Sequence, residues 1–271
     1  MKNRLPVSIM LVFLSVFFAS CERQVFPAAR SAGSQALEIQ ILKRTETFYA
    51  PFWEAGREDN VYTLAMTFSL LSFSGNAETV DYLNDYIYAG LSCEEYMEYR
   101  INHWKDAYSA LWDAAQPDRD GVYWTAENTG VYMESHQYAL YKDILSIEVN
   151  AWEFSGGAHG IGTTWYYLFD LAELTDLIFE DFFMEGSWEK LDAAVRARLQ
   201  DISLNPEYQP PENLPKPDSF TIDEEGFRFV WKTPYRIASY VYGVVEIALP
   251  FHETEEYLTG EGINLIARMF E

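Results

Sequence analysis

Cations are scarce in this chain: 19 Lys and Arg stand against 42 Asp and Glu among 271 residues, for a formal net charge of −23. A nucleic-acid binder draws its affinity from Lys and Arg that neutralise phosphates, so that class is excluded. Anionic lipid headgroups repel such a surface, and any membrane attachment has to be covalent or by insertion. Cysteine is nearly absent, with Cys21 and Cys93 alone. The four histidines, His103, His136, His159 and His252, show no pairing at metal-ligand spacing, so neither zinc nor any other cofactor is expected. Neither a Gly-rich phosphate loop nor a Gly-x-Ser-x-Gly nucleophile elbow occurs. Apolar and aromatic residues are plentiful at 49% and 17%. They are enough to build a sizeable core, which excludes a disordered chain.

The N-terminus reads as an export signal. Lys2 and Arg4 precede an apolar run from Leu5 to Phe18 that is too short for a permanent membrane helix, and small residues follow. Phe18-Ala19-Ser20-Cys21 resembles the lipobox of bacterial lipoproteins, in which the Cys is acylated and becomes the mature N-terminus. The resemblance implies a lipoprotein signal peptide over 1–20, lipidation of Cys21 and a tether over 21–36. The protein is then extracytoplasmic and membrane-anchored through its N-terminal lipid, with the choice of inner or outer membrane open. Loss of Lys2 and Arg4 makes the mature surface more acidic still. With Cys21 acylated, Cys93 has no disulfide partner.

Leu37 onward is periodic. Alternation around Ile39, Ile41 and Val61 to Leu70 predicts strands, and Ser74-Gly75-Asn76 a turn. Asn76 is placed to cap a helix that stops at Gly90, and Ser92 with Glu95 has capping-box spacing for a second helix to about Ala115. Val122–Trp124, Val131–Met133 and the run Tyr138–Phe154 read as antiparallel strands, followed by a strand at Thr163–Leu171. Ser187 opens a helix carrying Trp188, Leu191, Val195 and Leu199. Five prolines between Asn205 and Pro217 mark a surface loop. Strands at Phe227–Trp231 and Val244–Leu249 and a terminal helix from about Gly262 complete an α+β protein, antiparallel sheets with helices packed on one side. An N-terminal subdomain is expected over 37–135 and a C-terminal one over 136–271.

Two segments carry a family resemblance: Leu145 to Gly160, which ends in Gly156-Gly-Ala-His-Gly160 and continues through Trp165–Leu171 and Thr175–Phe183; and Phe229 to Pro250, with Pro234-Tyr-Arg-Ile-Ala-Ser-Tyr240 before Gly243. They resemble the extracytoplasmic domain shared by RsiV-type anti-sigma factors and PdaC-type peptidoglycan deacetylases. The resemblance implies a sensing or wall-facing domain. In the anti-sigma relatives that domain binds lysozyme, a strongly basic protein, and the acidic charge here complements such a partner.

The function expected is that of a non-enzymatic, lipid-anchored binding protein. It would recognise a protein or glycan at the cell envelope, a lysozyme-like basic protein being the most specific candidate. Tyr235, Tyr240, Trp165, Tyr167 and His159 are the expected binding residues, because aromatics among acids anchor proteins and stack on sugars. Two alternatives stay open: a peptidoglycan-acting hydrolase using His159 and nearby acids such as Glu153, and a purely structural envelope lipoprotein. The carboxylate pairs Glu94-Glu95, Glu180-Asp181 and Asp223 to Glu225 read chiefly as solvated faces.

Overall fold

The computed structural model describes residues 36–51, 61–114, 129–154, 160–202, 210–212, 214–231 and 244–270. The expected signal peptide, Cys21, the Val122–Trp124 strand, His159, Tyr235, Tyr240 and Gly243 lie outside the described residues.

The chain forms the expected α+β class. Six strands make one sheet in sequence order: β1 (Glu38–Pro51), β2 (Val61–Ser74), β3 (Thr129–Tyr141), β4 (Ile144–Phe154), β5 (Ile161–Asp170) and β6 (Thr175–Asp176). Four of its five pairings are antiparallel, and β2–β3 is parallel. A parallel neighbour needs a crossover. Here it holds α1 (Ala77–Tyr88) and α2 (Cys93–Ala114).

Both helix starts follow from their caps. Asn76 Oδ1 accepts from the amides of Glu78 and Thr79 at 2.9 and 3.3 Å, while Ala89 at φ 54° and Gly90 at φ 83° end α1. Ahead of α2, the Ser92 amide donates to Glu95 Oε2 and the Glu95 amide to Ser92 Oγ. The run expected as one strand over Tyr138–Phe154 is broken into β3 and β4 by a tight turn at Lys142-Asp143. Lys142 takes φ 55° there, a left-handed conformation that no Gly or Asn announces. The boundary expected at 135/136 falls inside β3, which pairs with β4 from Val131 to Tyr141.

The C-terminal half adds α3 (Phe179–Phe182), α4 (Ser187–Ile202), a three-stranded antiparallel sheet of β7 (Ser219–Ile222), β8 (Gly226–Trp231) and β9 (Val245–Pro250), then α5 (Phe251–Thr254) and α6 (Gly260–Phe270). The proline-rich loop is pinned where it is described. Leu214 is buried, and the Trp188 and Trp231 indoles donate to the carbonyls of Leu214 and Pro215 at 3.1 and 3.0 Å.

Two cores result, one on each face of the large sheet. Leu145, Ile147 and Val149 of β4 join Phe68, Leu70, Leu83 and Ile101 under α1 and α2. From the opposite face, Ile144 and Leu168 join Phe182, Leu191, Phe227 and Leu265 beneath the small sheet and the later helices. Helices therefore cover both faces, and the period-two alternation of β4 and β5 divides the cores. Gly262 lets α6 touch α3, since a Cβ there would meet the Phe182 carbonyl oxygen at 2.5 Å.

Candidate functional site: an aromatic and acidic cleft

Strand β6 is only two residues long, so the outer edge of β5 is left partly uncovered by sheet. A cleft of about 440 Å³ opens there, between Tyr86 of α1, Tyr166 to Phe169 of β5, Asp176 to Glu180, and the segment Lys216 to Phe220. Its aromatic wall is fixed by mutual packing. Tyr86 stands edge-on to Tyr167 and Phe169, with ring centroids 5.7 and 5.1 Å away, and Tyr167 stacks on Phe169 at 6.0 Å. The Tyr86 hydroxyl donates to Asp176 Oδ2 at 2.7 Å. Burial and that carboxylate push the Tyr86 phenol up to about 12, so it remains a donor at neutral pH.

The opposite wall is acidic and carries one cation. Lys216 Nζ lies 2.9 Å from Glu180 Oε1 and 5.3 Å from the centroid of the Phe179 ring. Both Lys216 and Glu180 are exposed, at 53% and 61% of their side chains. The hydrogen bond from Lys216 holds the Glu180 carboxyl below its usual range. A second hollow of about 650 Å³ shares Asp176 to Ile178 with the cleft, and adds Asp170, Glu173, Asp181 and Glu261. Arg268 also lines the second hollow and is paired with Asp170, so the acidic excess across the two lies with Asp176, Glu180, Glu173, Asp181 and Glu261, a surface suited to a cationic ligand.

Of the expected binding residues, Tyr167 reaches this cleft. Trp165 is half-buried and packs against the core under α1 and α2, because odd-numbered β5 residues face that side. Residues that sequence reasoning did not single out are Asp176, Phe179 and Lys216. Tyr86 entered there only as one aromatic of a helical pair. Glu180, read as part of a solvated pair, is exposed and holds Lys216. Its neighbour Asp181 caps the Ile178 amide at 2.7 Å, and Asp223 closes a turn while holding Arg228 at 2.6 Å.

A separate buried cluster lies under α2. Glu134, 3% exposed, accepts from Tyr132 at 2.5 Å and from Tyr96 at 3.1 Å, and has His136 Nε2 at 3.2 Å and Arg100 Nε at 3.6 Å. Burial works to raise its pKa. The His136 and Tyr132 hydrogen bonds and the Arg100 charge outweigh that, and the carboxyl is held below its usual range. Cys93 is also buried in this region beside Tyr88, and burial pushes its thiol up to about 12, so it stays protonated and unreactive. Glu134, Tyr132, Tyr96 and His136 are hydrogen-bonded to one another while Arg100 Nε has no hydrogen-bond partner among the described residues, and the cluster reads as the polar part of the core.

Residues 180–252 match the model of a family described as protein of unknown function, DUF3298. That span includes Glu180, Lys216 and Phe220 of the cleft. A member of the DUF3298 family from Bacteroides fragilis NCTC 9343 is similar in structure, with a TM-score of 0.65 and 22% identity over 87% of this chain and 98% of its own. A DUF3298 family protein from Pseudomonas aeruginosa PAO1 has a TM-score of 0.50 and 13% identity over 80% of this chain and 95% of its own. At such identities the likeness is one of fold. No curated protein matches.

Proposed function

We propose that the chain is a lipid-tethered extracytoplasmic binding protein that docks a cationic protein at the cell envelope through the β5–α3 cleft. One observation carries the reading: the cleft already holds a surface cation, Lys216, against a ring and a carboxylate. A partner's Lys or Arg presented to Phe179, Glu180 and Asp176 would make the same contacts. Each ring contact contributes about 0.5–1 kcal/mol at an exposed site. The chain's charge of −23 would speed encounter with a basic partner at low salt. The resemblance to the RsiV-type domain supports a binding role.

Titration of the full chain with lysozyme, used as a basic probe, tests the reading. Saturable binding that weakens steeply from about 50 to 300 mM salt is expected. Failure to bind at the lower salt contradicts it. The hydrolase alternative rests on His159, outside the described residues, and no observation favours it.

A further inference from the structure

Lys216 reaches the cleft from a short strap, Leu214-Pro215-Lys216-Pro217-Asp218, whose backbone is anchored on both sides of it. Before it, Leu214 is buried in the core, and the Trp188 and Trp231 indoles donate to the Leu214 and Pro215 carbonyls. After it, the Asp218 amide donates to the Val230 carbonyl at 2.9 Å, where β7 joins β8. The two prolines fix their own φ, and Pro217 also confines Lys216 to extended backbone. Stiff backbone between two anchors leaves the lysine side chain as the part of the strap that swings. The ring it meets is enclosed. Phe183 stacks on Phe179 at 4.4 Å and 16°, Trp188 and Phe220 stand nearly at right angles to it at 6.2 and 6.5 Å, and Lys216 Nζ is 5.3 Å from its centroid. Such a ring has room for one cation.

We propose, building on the docking reading above, that the strap is an autoinhibitory element of the cleft. It presents Lys216 as a built-in competitor, and a partner's Lys or Arg binds only as Lys216 swings out. A competitor in the same chain acts at a fixed, high local concentration, whatever the partner's own. Its hold is modest, because Lys216 and Glu180 are 53% and 61% exposed. One exposed ion pair and one exposed ring contact favour the docked lysine by on the order of tenfold. A lone cation such as free lysine offers the cleft only what Lys216 already supplies, and gains nothing. A protein that also reaches Asp176 or the adjoining acidic hollow makes contacts that offset the displacement. The strap thereby selects a basic surface over single charges.

The test labels the lysines of the full chain by reductive methylation with carbon-13, which keeps their charge, and follows them by NMR. The Lys216 signal, identified by its loss from Lys216→Arg, should lie upfield of exposed lysines in the free protein, shifted by the Phe179 ring. Glu180→Gln and Pro217→Gly should each return it toward the exposed position. A Lys216 signal without the ring shift, or one that neither variant moves, overturns the proposal with no partner present. Unlabelled lysozyme should then move the signal to the exposed position as the complex forms. Pro217→Gly should tighten lysozyme binding about twofold to fivefold, and that gain should vanish in the Lys216→Ala background. Lysozyme bound with the signal unmoved overturns the autoinhibition alone. No binding even by Lys216→Ala overturns the docking reading, and the autoinhibition with it.

Discussion

Tyr86 and Asp176, ninety residues apart, are joined by a 2.7 Å hydrogen bond that ties α1 to the short strand closing the large sheet. The ring and the hydroxyl of Tyr86 have separable tasks. Tyr86→Phe removes one exposed hydrogen bond and should cost about 0.5–1 kcal/mol. Tyr86→Ala also removes the edge contacts with Tyr167 and Phe169 and should cost about 1–3 kcal/mol. Chemical denaturation of both variants checks this, and equal losses would mean that the ring contributes little.

Asp170 sets an acid limit on stability. It is 3% exposed, and its Oδ1 accepts from Arg268 at 2.6 Å and from the amides of Ala172 and Glu173. Burial raises its pKa, but the Arg268 and backbone hydrogen bonds prevail and hold it below the usual Asp range. A folded-state pKa below the unfolded value of about 3.9 means stability fully present above that value and lost as pH falls through the folded pKa. Melting temperature should therefore drop on acidification below about pH 4. Asp170→Asn should cost about 1.5–3 kcal/mol at pH 7 and flatten the acid limb. An unchanged acid limb would assign it to other carboxylates such as Glu134.

Gly160 carries Trp152. A methyl group at position 160 would strike the indole, so Gly160→Ala should destabilise by about 1–3 kcal/mol as the ring is lifted. It should also shift the tryptophan emission to the red. A variant with the melting temperature and spectrum of the parent would remove Gly160 from that role.

Cys21 is the chemical handle proposed for the membrane. Metabolic labelling with a fatty-acid analogue should mark the parent protein and not Cys21→Ala, which should be released from the membrane fraction. Label retained by the variant would place the anchor elsewhere.

What the sequence made legible is local. Asn76 and Gly90 bracket α1, and Ser92 with Glu95 starts α2, because caps are short-range hydrogen bonds between residues two to three apart. The alternation Leu145, Ile147, Val149 marked a core face correctly, but the tight turn at Lys142-Asp143 has no Gly or Asn to reveal it. Strand β7, four residues long, was not expected at all. The cleft was out of reach for a different reason. Its walls come from positions 86, 166–169, 176–180 and 216–220, brought together by packing of α1 and the small sheet against β5. Trp165 illustrates the same limit. Its aromatic character suggested a surface role, and only the register of β5 shows that it faces the core under α1 and α2.

The central claim, that the cleft holds a partner's cation where Lys216 now sits, is tested most directly by calorimetric titration of lysozyme into three forms of the protein. Lys216→Ala should tighten binding several-fold, since it empties the ring and carboxylate of their resident cation. The double variant Asp176→Asn with Glu180→Gln should weaken binding at least about tenfold with little change in melting temperature. Weaker binding by Lys216→Ala, or affinity in the double variant equal to the parent, would contradict the account.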